Sequence, residues 1–233
     1  MSMISRKLLS TKKQIVASTF SIISNVQVTN SGTIPIPNTV VAGDLLLVLA
    51  GAGGGSTTTP SITPTYGTGF TAINTVTGVF SISSYWYRTT GCASYKIATG
   101  AEAGTSIGGF VSSQGFTYML FHIRGTYPIA SVTANPNTNT VASTNPPLYT
   151  STTTSTSDTV VYYHLVSGTS AIPAITSTSP TPTLSVTKQG GIYAGCASGV
   201  WISNTAQQYS FDAASSGNTQ TRVPMIGHLI LSY

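Results

Sequence analysis

The only two cysteines of the chain sit in the same tetrapeptide, Gly91-Cys92-Ala93-Ser94 and Gly195-Cys196-Ala197-Ser198. Two thiols can ligate a metal, close a disulfide, or mark equivalent places in a duplicated unit. A zinc site would need His122, His164 or His228 to converge on them, and no close Cys-x-x-Cys or His-x-x-x-His spacing supplies the usual ligand pairs. A bridge would need an oxidising compartment, whereas cytoplasmic synthesis favours free, buried and inert thiols. Duplication accounts for the flanking letters as well as for the cysteines.

The acids are also few: Asp44, Glu102, Asp158 and Asp212. Acid–base catalysis needs carboxyl groups paired so that their pKa values separate. Asp44 and Asp158 each stand at a turn-to-strand junction, where a short carboxylate accepts hydrogen bonds from turn amides. Glu102 and Asp212 have no acidic neighbour in sequence. Serines abound, but no G-x-S-x-G turn follows a strand. The run Gly51-Ala52-Gly53-Gly54-Gly55 lacks both the Gly-Lys-Ser/Thr of a phosphate loop and the spaced third glycine of a dinucleotide loop. It reads as a flexible surface loop. These residues point to a protein that is not an enzyme, with no catalytic residues, cofactor or metal.

The elements that carry them are strands. Of 233 residues, 40% are hydrophobic and only 6% charged. Abundant Val, Ile, Tyr and Thr with so little charge favours sheets over disorder. Candidate strands are 26–29, 41–50, 70–76, 79–88, 92–98 and 117–123, then 148–153, 159–166, 184–187, 196–202, 208–211 and 223–231. Runs such as LLLVLA and MIGHLILSY are apolar on both faces and suit the middle of sheets.

The two halves repeat an order. Asp44 and Asp158 open apolar strands, the GCAS segments follow, and His122 and His228 lie in the last apolar strand of each half. The cysteines therefore mark equivalent strands. The expected fold is an all-β, two-sheet antiparallel sandwich in one domain, 25–233, with halves at about 25–132 and 133–233. A basic N-terminal arm, 1–24, precedes it.

The net charge of +5 is concentrated in that arm. Arg6, Lys7, Lys12 and Lys13 precede every acid; from residue 14 on, five basic residues face four acids. A nearly neutral body is unsuited to nucleic acid. No apolar run reaches the roughly 18 residues of a membrane span. The arm suits electrostatic anchoring on an acidic partner. Alternation in Tyr85-Trp86-Tyr87 sets Trp86 on the face of Phe80 and Ile82, as a core tryptophan with rim tyrosines, or alternatively as part of a glycan platform. Tyr66 and Phe70, in a loop at one end of the sandwich, are the better glycan-contact candidates.

The succession VAGDLLLVLAGAG, TPTYGTGFTAI, CASYKIATGAEAG and FTYMLFHIRGT resembles a β-sandwich family found in tailed phages and bacterial prophage regions, and TSTSDTVVYYHLVSG to MIGHLILSY resembles that family's degenerate repeat. Phe70 stands where the family usually has tryptophan. The resemblance implies a jelly-roll-like virion protein that packs with other virion proteins: a capsid decoration, head fibre or tail-associated module. With neither a signal segment nor a membrane span, synthesis in the host cytoplasm is expected, and because sandwich edges must be covered, a homo-oligomer, trimer or dimer, is expected. The alternative is a carbohydrate-binding, lectin-like host-recognition module of a tail fibre.

Overall fold

The structure is a computed structural model, describing residues 20–57, 67–108, 115–137, 148–154, 156–169, 171–190, 194–214 and 222–233. The described residues hold strands and no helix. The first half contributes Ser21–Thr29 (β1), Thr33–Pro35 (β2), Leu45–Ser56 (β3), Thr71–Ile82 (β4), Tyr85–Ile97 (β5), Ser106–Gly108 (β6) and Gly115–Arg124 (β7). The second contributes Ser131–Pro136 (β8), Leu148–Thr153 (β9), Thr159–Ser167 (β10), Ile175–Ser179 (β11), Leu184–Gly190 (β12), Ala194–Ser203 (β13), Gln208–Ala213 (β14) and Arg222–Ser232 (β15).

Each half builds one five-stranded antiparallel sheet, in the orders β1-β7-β3-β5-β4 and β8-β15-β10-β13-β12. Position by position these are the same layout. The small sheets correspond too: β2 pairs with β6, and β9 pairs with β14, with β11 added on the other side of β14. First and last strands of each half lie side by side, so the chain crosses over instead of meandering.

The five-stranded sheets meet face to face. Their shared core joins Leu45, Leu47, Leu49, Met119 and Phe121 to Val160, Tyr162, Val166, Cys196 and Met225. On its outer face the first sheet packs Leu46, Val48, Cys92 and Leu120 against Ile34 and Ile107 of the β2–β6 pair. The second packs Val161, Tyr163, Leu165 and Trp201 against Tyr209 and Phe211 of β14. Strands β3 and β10 are buried on both faces. That explains why their sequences are apolar without alternation.

Three expectations are corrected. Gly51–Gly55 is the buried second half of β3, not a loop. Gly51 lies directly opposite Gly91 of β5. A Cβ on Gly51 would stand 2.5 Å from the Cys196 sulfur, and one on Gly91 2.7 Å from the Met225 sulfur. The glycines let the second half press its side chains onto the backbone of the first. Trp86 is 38% exposed, and the tryptophan that fills a core is Trp201. The segments 79–88 and 92–98 belong to two long strands that turn at Ser83 and Ser84, Ser83 having φ 54°. Strands β2, β6, β8 and β11 went unforeseen; three of them are Thr-, Ser- or Pro-rich and none exceeds six residues.

Candidate functional site

The densest polar cluster joins the two most distinctive motifs of the first half. Gly43 turns with φ 85° and Asp44 N–H donates to the Val41 carbonyl at 3.2 Å, which brings the Asp44 carboxylate to the start of β3. On β7, His122 and Arg124 are two residues apart and so share one face. The face is the one that also carries Leu120 toward the β2–β6 pair. His122 lies opposite Leu46, and this register delivers both basic side chains to Asp44.

Asp44 is 2% exposed. Its Oδ1 accepts from Arg124 Nε at 2.8 Å; its Oδ2 accepts from Arg124 Nη2 at 2.7 Å, His122 Nε2 at 2.7 Å and Val41 N–H at 2.8 Å. Burial pushes the Asp44 carboxyl up, but the bonds from Arg124, Val41 and His122 outweigh it and hold the pKa below its ordinary value. The same pair raises the Arg124 pKa. Because an ionised carboxylate only accepts, His122 Nε2 carries the proton. Nδ1 then faces the Ser24 hydroxyl at 3.4 Å.

Ser24, His122 and Asp44 stand in the order of a nucleophilic relay. The geometry is that of a tie. Arg124 already engages both carboxylate oxygens, so Asp44 is held as a shared acceptor between two residues of β7. His122 is fully buried, and the Ser24 contact is at the long limit of a hydrogen bond. Arg124 Nη2 also donates to the Thr39 carbonyl at 2.5 Å. The cluster thus fastens β1, β7, the start of β3 and the loop before it.

The second half does not repeat the tie. Leu46 lies opposite His122 and Lys96, while Val161 lies opposite His228 and Trp201. Matching Leu46 to Val161 therefore places His122 on His228 and keeps inner and outer faces in step. It sets Asp44 on Thr159 and Arg124 on Ile230. Asp158, one residue displaced, instead accepts from the Tyr233 hydroxyl at 2.7 Å, and His228 Nδ1 lies 3.2 Å from the Thr152 hydroxyl.

The same match sets Cys92 on Ala197, not on Cys196. The cysteines do lie on equivalent strands, but one register step apart, and one step turns a side chain to the other face. Cys92 belongs to the outer core of the first half and Cys196 to the shared core. Both are free thiols, pushed up to about 12 by burial. Among the described residues no group of three His, Cys, Asp or Glu side chains could hold a metal.

Glu102 closes a turn. It accepts from Thr99 N–H at 2.9 Å, Gly100 N–H at 3.0 Å and the Thr99 hydroxyl, and pairs with Lys96 Nζ at 2.8 Å. Burial opposes its ionisation, yet these bonds bring the carboxyl down to about 2. The segment YKIATGAE is a turn closed by its own acid.

Phe70 is partly buried against the outer core of the first half. Tyr66, and Arg6, Lys7, Lys12 and Lys13 of the arm, lie outside the described residues. The aromatic residues of β5 are more open: Trp86 lies opposite Ser81 on the outer face, and Tyr85 and Tyr87 stand together on the other, ring centroids 5.0 Å apart. Sequence reasoning assigned no role to Arg124 or Ser24. The available signal was the alternation in FHIR, which sets its histidine and arginine on one face of a strand. Comparison with family models, with curated proteins and with solved structures finds no match.

Proposed function

We propose that the chain is a non-enzymatic structural protein of the exterior of a phage particle. The observation that carries this reading is the use to which its distinctive residues are put. Gly43-Asp44, the YKIATGAE turn and His122 to Arg124 carry the resemblance to virion sandwiches; the first and last fasten strands of the first half to one another, and the turn is closed by its own acid. Invested in this way, Asp44, His122 and Glu102 support a rigid scaffold. The basic arm then anchors that scaffold to an acidic partner on the particle, and hydroxyls and amides face outward.

Particles purified on a density gradient from a lysate of the source phage test the reading. Expected is this chain in fixed stoichiometry with the shell or tail proteins, lost on deletion of residues 1–14. Its confinement to the soluble fraction would refute the proposal.

One observation favours a second reading, recognition of a host-surface glycan. Trp86 is more than a third exposed on the outer face of β5, and sugar rings stack on open aromatic faces. On a glycan array, binding lost in Trp86→Ala but kept in Phe70→Ala would support that reading and transfer it from Phe70 to β5.

A further inference from the structure

We propose that the pocket beside the Asp44–Arg124 pair holds one neutral pyranose ring of a glycan, with Tyr127 as the stacking wall and the Arg124 guanidinium as the hydrogen-bond donor. The pocket lies between the turn 41–44 that precedes β3 and the loop 125–128 that follows β7, and its volume is about 200 Å³. Drug-sized sites run to roughly 300–1,000 Å³, so this one suits a single ring. It stands at the opposite end of β3 from Trp86, which lies across from Ser56.

The tie to Asp44 leaves part of Arg124 available. Nε and Nη2 are spent on the Asp44 carboxylate and the Thr39 carbonyl, while Nη1 keeps its two N–H donors. The side chain is 34% exposed where it lines the pocket. Asp44 and Arg124 cancel in charge, so an entering anion meets little net attraction. A neutral ligand rich in hydroxyl oxygens loses nothing by that cancellation.

The three most exposed large hydrophobic side chains among the described residues gather here: Tyr127 at 52%, Val41 at 49% and Tyr233 at 48%. Val41 and Tyr127 line the pocket, and Tyr233 meets Tyr127 edge to face with ring centroids 6.1 Å apart. Tyr233 stacks in turn on Phe20 at 5.6 Å and donates its hydroxyl to Asp158 at 2.7 Å. The loop that carries Tyr127 is fixed by Ile129 N–H, which donates to the Gly43 carbonyl at 3.0 Å. Both open rings are therefore held before a ligand arrives, which lowers the ordering cost of binding. An aromatic face takes the C–H side of a sugar ring, and a few placed donors take its hydroxyls.

Saturation-transfer NMR of the full chain with methyl α-glucopyranoside, methyl α-mannopyranoside, methyl β-galactopyranoside and N-acetylglucosamine tests the site. Expected is transfer to the ring C–H protons of at least one of them. Its affinity should fall roughly three- to ten-fold in Tyr127→Ala, return in Tyr127→Phe, and stay unchanged in Ile172→Ala beyond the other end of β10. Silence from all four sugars, equal transfer in wild type and Tyr127→Ala, or loss in Trp86→Ala instead would overturn the proposal. Displacement of the sugar by sodium acetate would also overturn it, by making the pocket an anion site. Should Tyr127→Ala misfold, the wild-type backbone decides: titration with the sugar must shift the amides of Gly125 and Tyr127, and their constancy contradicts the site. The outcome is separable from the virion reading, since a chain that joins particles and binds no sugar would end the one and keep the other.

Discussion

Arg124 grips Asp44 through both carboxylate oxygens, at 2.8 and 2.7 Å, across eighty residues of chain. The corresponding positions of the second half carry Thr159 and Ile230, so the same strand layout is stable with or without the charges. Removing Asp44 alone leaves Arg124 and the buried His122 without their acceptor, and breaking a buried pair from one side costs about 3–5 kcal/mol. In urea unfolding, Asp44→Thr and Arg124→Ile should each lose stability, and the double variant should lose less than their sum by roughly 1–3 kcal/mol. Strict additivity would mean that the two side chains are not coupled.

A second prediction concerns pH. His164 is fully buried in the shared core with Nδ1 2.6 Å from the Ser198 hydroxyl. Burial lowers its pKa from 6.5 to about 4, with the Ala50 backbone the one group favouring the charged ring. Between those values the unfolded chain binds the extra proton and the folded chain does not. Stability is therefore complete above 6.5 and falls as pH drops toward 4, by on the order of 3 kcal/mol. Asp44 adds a further loss at lower pH, because its folded pKa is depressed and its ties fail as it protonates. His164→Gln should flatten the decline between 6.5 and 4 and leave the lower one; an unchanged slope would contradict the assignment.

The contact of Gly51 with the second half predicts a conditional penalty. Gly51→Ala should destabilise by about 1–3 kcal/mol through overpacking against Cys196 and Val166. In a Cys196→Ala background the same change should cost clearly less. Equal penalties in the two backgrounds would place Gly51 away from Cys196.

Both thiols are predicted to resist an aromatic disulfide reagent in the native protein and to react together, two per chain, on denaturation. Rapid native labelling of either would contradict their burial.

Trp86 and Trp201 should separate in fluorescence. Iodide should quench the Trp86 component, and Trp86→Phe should leave an emission that is blue-shifted and almost insensitive to iodide. Quenching that persisted in that variant would place Trp201 at the surface.

What was legible followed from chemistry that acts along the chain. Apolar runs without alternation marked β3, β10 and β15, and Asp44 was correctly placed as the residue capping a turn before its strand. What escaped depended on contacts across the chain. Five residues of glycine and alanine read locally as a loop, whereas contacts from distant residues, Val166 and Cys196 at Gly51 and Tyr85 at Gly55, bury them as a strand. The repeated GCAS named the right pair of strands but the wrong register, since identical letters carry no information about which face a side chain takes. Trp86 was read as core because of its size; β5 outruns β7 in its pairing with β3, which reaches Trp86 on one side and stops at Gly53 on the other.

The central claim is that two like sheets meet face to face with Gly51 against Cys196. A disulfide test addresses it most directly: in a Cys92→Ser background, Gly51→Cys and Ala50→Cys are each refolded under mild oxidation and analysed by intact mass and maleimide labelling. The account predicts that Gly51→Cys loses two hydrogens and both labelling sites, while Ala50→Cys, facing the outer core, keeps two thiols. Cross-linking of Ala50→Cys with none in Gly51→Cys would contradict it.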